Sequence, residues 1–313
     1  MIPALELKLI TILFFASVVS AQYGTQLQPP DYSYSGQNGP LTWAQKYDSC
    51  NGQKQSPIDI TTSSATKMDF PPLNWTDYID PARSCTLMNN WQGVQLMFPP
   101  GSEARLRGGP LASDYVLSYV IFKWGNELGS EHSIDKYFYG LEAQLVHFKK
   151  SAVSIDAALN QPDGLAIVSI MFGINLKSNL SDLDPVVSNL KSVTTGGSTQ
   201  DLPSGRYMNW LRKYINSDCG CTKETYYTYM GSVTNPPCSE NVIWIIMANP
   251  LPIGQNQLKE FQKVKGIADA MVAENKRPLQ QVNGRKLQYK QGSGIPMSQP
   301  LMLVPILFLI KAF

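Results

Sequence analysis

The chain has 313 residues, of which 43% are hydrophobic and 16% charged. That apolar content suffices for one substantial core, and a β-rich domain can run to this length undivided. Net charge is +2; basic residues are scattered and aromatics do not interleave with them, so no nucleic-acid partner is expected.

In chain order, residues 1–21 come first and read as a signal peptide. An apolar run over 9–19 follows Lys8, and Val19-Ser20-Ala21 supplies small residues before Gln22, which predicts cleavage after Ala21. The run is about half the roughly 20 residues that a membrane-spanning helix needs.

Residues 22–290 show no internal repeat and no low-complexity linker, which predicts one domain. Alternating or β-branched and aromatic stretches predict strands over 84–98, 114–124, 140–148, 165–172 and 241–247. The last three are nearly continuous in apolar character, as expected of strands buried on both faces. Apolar residues recur at helical spacing over 182–193 and 258–273. The 23 Gly and 22 Pro predict many turns and long surface loops. The fold class expected is mixed α/β and β-dominated, a large central sheet with short peripheral helices.

Residues 291–313 close the chain with an apolar run over 301–310, preceded by the small residues Gly292-Ser293-Gly294. Small residues, a spacer and an apolar tail predict a glycosylphosphatidylinositol anchor attached at one of those three. The spacer over 295–300 is shorter than the usual about 8–12 residues. The chain is therefore expected in the secretory pathway, at the cell surface or outside it, with membrane contact through a lipid. Asn74-Trp75-Thr76 and Asn179-Leu180-Ser181 are candidate glycosylation sequons for that compartment. Five cysteines, Cys50, Cys85, Cys219, Cys221 and Cys238, leave an odd one. A bridge between Cys219 and Cys221 would be strained.

Six segments carry a resemblance. They are Tyr34-Ser35-Gly36-Gln37-Asn38-Gly39-Pro40 followed by Trp43; Gln55-Ser56-Pro57-Ile58-Asp59-Ile60; Gly129-Ser130-Glu131-His132-Ser133-Ile134-Asp135; Glu142-Ala143-Gln144-Leu145-Val146-His147; Ser232-Val233-Thr234-Asn235-Pro236-Pro237-Cys238; and Asn275-Lys276-Arg277-Pro278. In this order they resemble the alpha carbonic anhydrases, over about residues 30–290. The resemblance implies a twisted, mostly antiparallel sheet of about ten strands with a conical site reaching its centre. It also implies a disulfide between Cys50 and Cys238. The pairing of Cys85, Cys219 and Cys221 stays open.

In that family three histidines hold Zn²⁺, whose bound water ionises near pH 7 and attacks CO₂. A threonine backed by a glutamate orients the hydroxide, and a rim histidine exports the proton. Here the ligand positions hold Ile121, Lys123 and Gln144. Ile121 has no lone pair, an ammonium is no ligand, and an amide oxygen is a poor zinc donor beside imidazole. The shuttle position holds Gln92, which does not titrate near neutrality. The whole chain has two histidines, His132 and His147, neither at a ligand position. Thr234 and Glu131 remain at the orienting pair. Glu142, at a position that in the family supports a ligand histidine, also remains, as do Tyr34 and Tyr229 near the site.

The resemblance with these departures implies no zinc cofactor and no intact catalytic residue. The function expected is an extracellular binding or adhesion module with an unidentified protein partner. The alternative is residual CO₂ hydration (carbonate dehydratase) from a non-standard metal site. One structural expectation follows. Glu131 and Glu142 lose a nearby dication, so the Lys123 ammonium should approach the former zinc position, towards Gln144 and Glu142.

Overall fold

The computed structural model describes residues 28–292, apart from 81–82, 100, 102–103, 127, 204 and 216–224. The segment predicted as a signal peptide (1–21), Ser293, Gly294, the apolar run over 301–310, Cys219 and Cys221 lie outside the described residues.

Fifteen strands are described: β1 (Asp59–Ile60), β2 (Thr66–Lys67), β3 (Asn74–Thr76), β4 (Cys85–Asn89), β5 (Val94–Met97), β6 (Arg105–Gly108), β7 (Leu111–Trp124), β8 (Ser133–Ile134), β9 (Leu141–Lys149), β10 (Leu165–Asn175), β11 (Thr199–Leu202), β12 (Tyr226–Gly231), β13 (Val242–Met247), β14 (Leu251–Gly254) and β15 (Gln288–Lys290). Thirteen of them join one sheet, whose main path runs β11-β4-β5-β7-β9-β10-β13-β12-β15-β2; β1 and β8 pair separately. Within the large sheet β10 runs parallel to β13 and β14, and β15 parallel to β2. The other pairings are antiparallel. The sheet exceeds the ten strands expected because short edge strands such as β2, β3 and β15 add to it.

The predicted strands form where apolar runs sit, with one refinement. The stretch over 84–98 is a hairpin, β4 and β5, turned at 90–93. Trp91 has φ +64° and Gly93 φ +154° in that turn.

Successive side chains alternate between two buried layers, as the pleat requires. Phe122, Ala143, Val168 and Ile245 join the larger cluster, while Ile121, Val146, Ile167 and Trp244 join the smaller. Among the described residues the α-helices are α1 (Ile155–Ala158), α2 (Asp184–Val187), α3 (Arg212–Ile215) and α4 (Gln255–Phe261), and helix α4 covers the larger layer. Its Phe261 packs on Phe122 and Trp124 at centroid distances of 5.1 and 5.9 Å. The opposite face at the sheet centre is left to the site.

Both helical expectations are corrected in extent. Over 182–193 the chain makes single turns, 3₁₀ at Ser181–Leu183, α2, then 3₁₀ at Leu190–Val193. Leu183, Val186, Leu190 and Val193 are buried, so the spacing served short turns against the sheet. Over 258–273 the helix begins earlier, at Gln255, and stops at Phe261. Beyond it Lys265 N–H donates to the Thr194 carbonyl and Val272 N–H to the Val264 carbonyl. Those long-range bonds take the backbone out of the helix, and Ala268 and Asp269 have positive φ.

Cys50 and Cys238 are joined, tying the turn at Asp48–Asn51 to the loop that bears Thr234. A cross-link closing so long a loop typically stabilises by about 2–4 kcal/mol. Cys85 is a buried free thiol, pushed up to about 12 by burial. Asn74 and Asn179 are both exposed. Gly292 is buried, and its N–H donates to Thr225 Oγ1 at 2.9 Å.

Candidate functional site

Register assembles the centre. In the β7/β9 ladder Ile121 lies opposite Gln144 and Lys123 opposite Glu142. Directly opposed residues share a face, so these four side chains project together. On the far side of β9, Ser169 of β10 lies opposite Gln144. The 129–135 loop then folds over β9. Gly129 lets it do so: a Cβ there would sit 2.1 Å from the Gly125 nitrogen. This close approach delivers Glu131 and His132 to the same face.

Glu142 is fully buried. One of its oxygens accepts from the Glu131 and His132 N–H groups at 2.8 and 2.9 Å. The other accepts from Gln144 Nε2 at 2.9 Å and Ser169 Oγ at 2.8 Å, and meets His132 Nδ1 at 3.0 Å. Burial pushes this carboxyl up, but the His132 charge and the hydrogen bonds outweigh it and hold it below the usual value. His132 Nε2 in turn is hydrogen-bonded to the Tyr229 hydroxyl at 2.7 Å. Tyr229 also donates to Ser56 Oγ at 2.9 Å, which places the Gln55-Ser56-Pro57 segment beneath the site.

Glu131, also fully buried, has a different set of partners. Its Oε2 accepts from Gln144 Nε2 at 2.8 Å, and its Oε1 accepts from the Arg277 N–H at 2.9 Å. The Lys123 ammonium stands 3.2 Å from that same Oε1. Lys123 also donates to the Tyr34 hydroxyl at 2.7 Å and the Asn275 carbonyl at 3.3 Å.

These contacts correct the expectation for Lys123. Its amine does turn inward and does neutralise a carboxylate, but the carboxylate is Glu131. It makes no recorded bond to Gln144 or Glu142, although Glu142 is its cross-strand neighbour. The reason is saturation. Five donors already surround Glu142, whereas Glu131, Tyr34 and Asn275 offer lone pairs on the other side. The two carboxylates are thus compensated separately, one by Lys123 and one by His132.

The other predicted positions fall as follows. Thr234 is buried on the 232–238 loop, and no hydrogen bond recorded among the described residues joins it to Glu131. Gln92 is buried, and its Nε2 donates to the Tyr32 carbonyl. Trp91 lies across Gly196 and Gly197. Tyr34 is raised well above the usual tyrosine value by burial and then by the Glu131 charge. His147 is apart from the centre, bonded to Tyr78 and the Ala166 carbonyl.

Several residues at the centre had no site role in the sequence reading. Asn275, Arg277, Ser169 and Tyr32 each bond a predicted position. The Asn275-Lys276-Arg277-Pro278 segment was visible as a family segment, but nothing local says that it meets Lys123 and Glu131. Arg277 further donates to Gln55 Oε1 at 2.7 Å and to the Ser56 and Cys50 carbonyls.

Zinc does not fit this arrangement. Ile121 supplies no donor atom. The Lys123 position is a cation already paired. Gln144 presents its NH₂ to two carboxylates, so donors fill the face that a metal would need lined with lone pairs. Among the described residues no cluster of three His, Cys, Asp or Glu side chains is placed to hold a metal ion.

Comparison with known proteins gives the frame for these departures. The profile of the eukaryotic-type carbonic anhydrase family matches residues 38–291. Carbonic anhydrase 3 of Sus scrofa is 31% identical over 262 residues, covering 82% of this chain and 96% of that protein. Carbonic anhydrase 1 of Mus musculus is 32% identical over 267 residues, covering 82% and 97%. Carbonic anhydrase 6 of Mus musculus is 32% identical over 235 residues, covering 73% and 71%. With the family profile matched over residues 38–291 and relatives above 30% identical over most of this chain, the chain belongs to the eukaryotic-type carbonic anhydrase family.

Proposed function

We propose that this family member has given up CO₂ hydration and serves as an extracellular binding or adhesion module. The observation that carries this reading is the Lys123–Glu131 ion pair, fully buried where the family binds its metal. A site that supplies its own cation has neither the Lewis acid nor the metal-bound nucleophile of the family reaction. The partner is an extracellular protein, met by the outer surface while the fold acts as scaffold.

The test is direct. Purified protein should contain far less than one zinc per chain and give a CO₂ hydration rate equal to background in a stopped-flow pH assay. Stoichiometric zinc with turnover above background would overturn the proposal in favour of residual carbonate dehydratase activity.

The location belongs to the same reading. The signal segment over 1–21 sends the chain into the secretory pathway, and the 291–313 segment exchanges its tail for a lipid anchor. Ser293 or Gly294 is the better attachment residue, since the Gly292 amide is tied to Thr225. Cells displaying the protein should release it into the medium with phosphatidylinositol-specific phospholipase C. Retention on the cells after treatment would refute the anchor. The exposed Asn74 and Asn179 are the glycan positions of this reading.

A further inference from the structure

Two residues at altered family positions, far apart in sequence, hold the same segment. Gln92 Nε2 donates to the Tyr32 carbonyl. Lys123 Nζ donates to the Tyr34 hydroxyl at 2.7 Å and stands 4.8 Å from its ring centroid. A third tie comes from the Thr234 loop, where Asn235 Nδ2 donates to the Tyr32 hydroxyl at 3.3 Å.

The segment is itself a small packed unit. Tyr32, Tyr34 and Trp43 meet edge to face, with ring centroids 5.5–6.3 Å apart. Trp43 Nε1 donates to the Ser33 and Asn38 carbonyls, and Ser33 N–H to the Asn38 carbonyl. The Arg277 guanidinium lies 5.5 Å from the Trp43 ring centroid. The unit is therefore fastened to the 90–93 turn, to the 232–238 loop and to β7. Those three elements carry Gln92, Thr234 and Lys123, positions that surround the family's cleft.

We infer that Gln92 and Lys123 make residues 32–43 a strap, closed over the emptied cleft and shutting small solutes out of the face that carries Ile121 and Gln144. An imidazole at 123 is shorter than lysine and has no terminal ammonium to set against the Tyr34 hydroxyl and ring. The strap is thus built by the same changes that removed the metal chemistry. Burial agrees with it: Ile121 and Gln144 are 9% and 2% exposed. Tyr119, on the same face of β7, is pushed up to about 12 by burial, with Lys123 opposing. The strap goes beyond the binding-module reading and stands or falls without it.

Hydrogen exchange of the full-length protein tests it, with Tyr34→Phe, Gln92→Ala and the double variant. Each removes one tie and leaves the Lys123–Glu131 pair in place. Exchange of the Ser33, Gly39 and Thr42 amides should quicken by about tenfold in each single variant and about a hundredfold in the double. Amides of β9 and β10 should not change. Unchanged exchange over 32–43 in the double variant overturns the strap. So does an equal rise in β9 and β10, which would mean general destabilisation. A second measurement reads access. Ile121→Cys should react with N-ethylmaleimide slowly when the strap is intact and about tenfold or more faster with both ties removed. Fast labelling with the strap intact overturns the proposal.

Discussion

Lys123→Met should destabilise the protein by about 3–5 kcal/mol, the typical cost of stranding a buried charge. The side chains of Lys123 and Glu131 are 1% and 0% exposed, so water cannot take the place of the lost ammonium. Met keeps most of the volume, which isolates the charge from the cavity. Glu131 would retain only the Gln144 amide and the Arg277 N–H. Adding Glu131→Gln removes the stranded charge and should recover at least half of the loss, since uncharged replacements of buried pairs often cost little. Urea unfolding of the two variants decides the matter. A loss under about 1 kcal/mol for Lys123→Met would show that the pair does not compensate Glu131.

The second large effect is with pH and centres on His147. Its Nδ1 faces the Ala166 carbonyl at 3.1 Å, and a carbonyl only accepts, so Nδ1 carries the proton. Nε2 is then the acceptor, and the Tyr78 hydroxyl donates to it at 2.6 Å. Adding a second proton would break that bond in a dry place. Burial accordingly lowers His147 from 6.5 to about 4. The unfolded chain therefore binds more protons than the folded one between those values. Stability is full above pH 6.5 and falls as the pH drops towards 4, by about 3 kcal/mol over the whole window. Glu142, held below 4.5, adds a further loss at lower pH, where its charged form is no longer populated. Unfolding free energies at pH 7.5 and pH 5 should differ by about 2 kcal/mol more in the wild type than in His147→Gln. Equal differences would remove His147 as the source.

Much of this molecule could be read before the fold was known, for a definite reason. Its six family segments are tied to backbone geometry. The loop before β9 needs Gly129, and the ladder between β7 and β9 needs residues of fixed spacing. The resemblance could therefore assign Ile121, Lys123 and Gln144 to one place, and the β7/β9 register sets Ile121 opposite Gln144 with Lys123 on the same face. What those side chains do there was less legible. Lys123 has the reach to meet either carboxylate, and the choice depends on Ser169 and Asn275, which are remote in sequence. Helix length over 258–273 was misjudged for a similar reason. The Thr194 carbonyl captures the Lys265 amide, and no local pattern announces such a partner. Tyr32 was missed because a tyrosine near the start of a domain carries no signal until Gln92 and Asn235 are seen to meet it.

The double duty of Gln144 couples the residues of the centre to one another. Its amide serves Glu131 and Glu142 at once, while Lys123 serves Glu131. Replacing either residue by histidine removes an existing partner before three ligands are present to capture a metal. Each single replacement therefore begins with a loss that no ion offsets. A three-histidine site could be engineered into this chain only by changing Ile121, Lys123 and Gln144 together, so the buried network makes the centre an all-or-none unit of design.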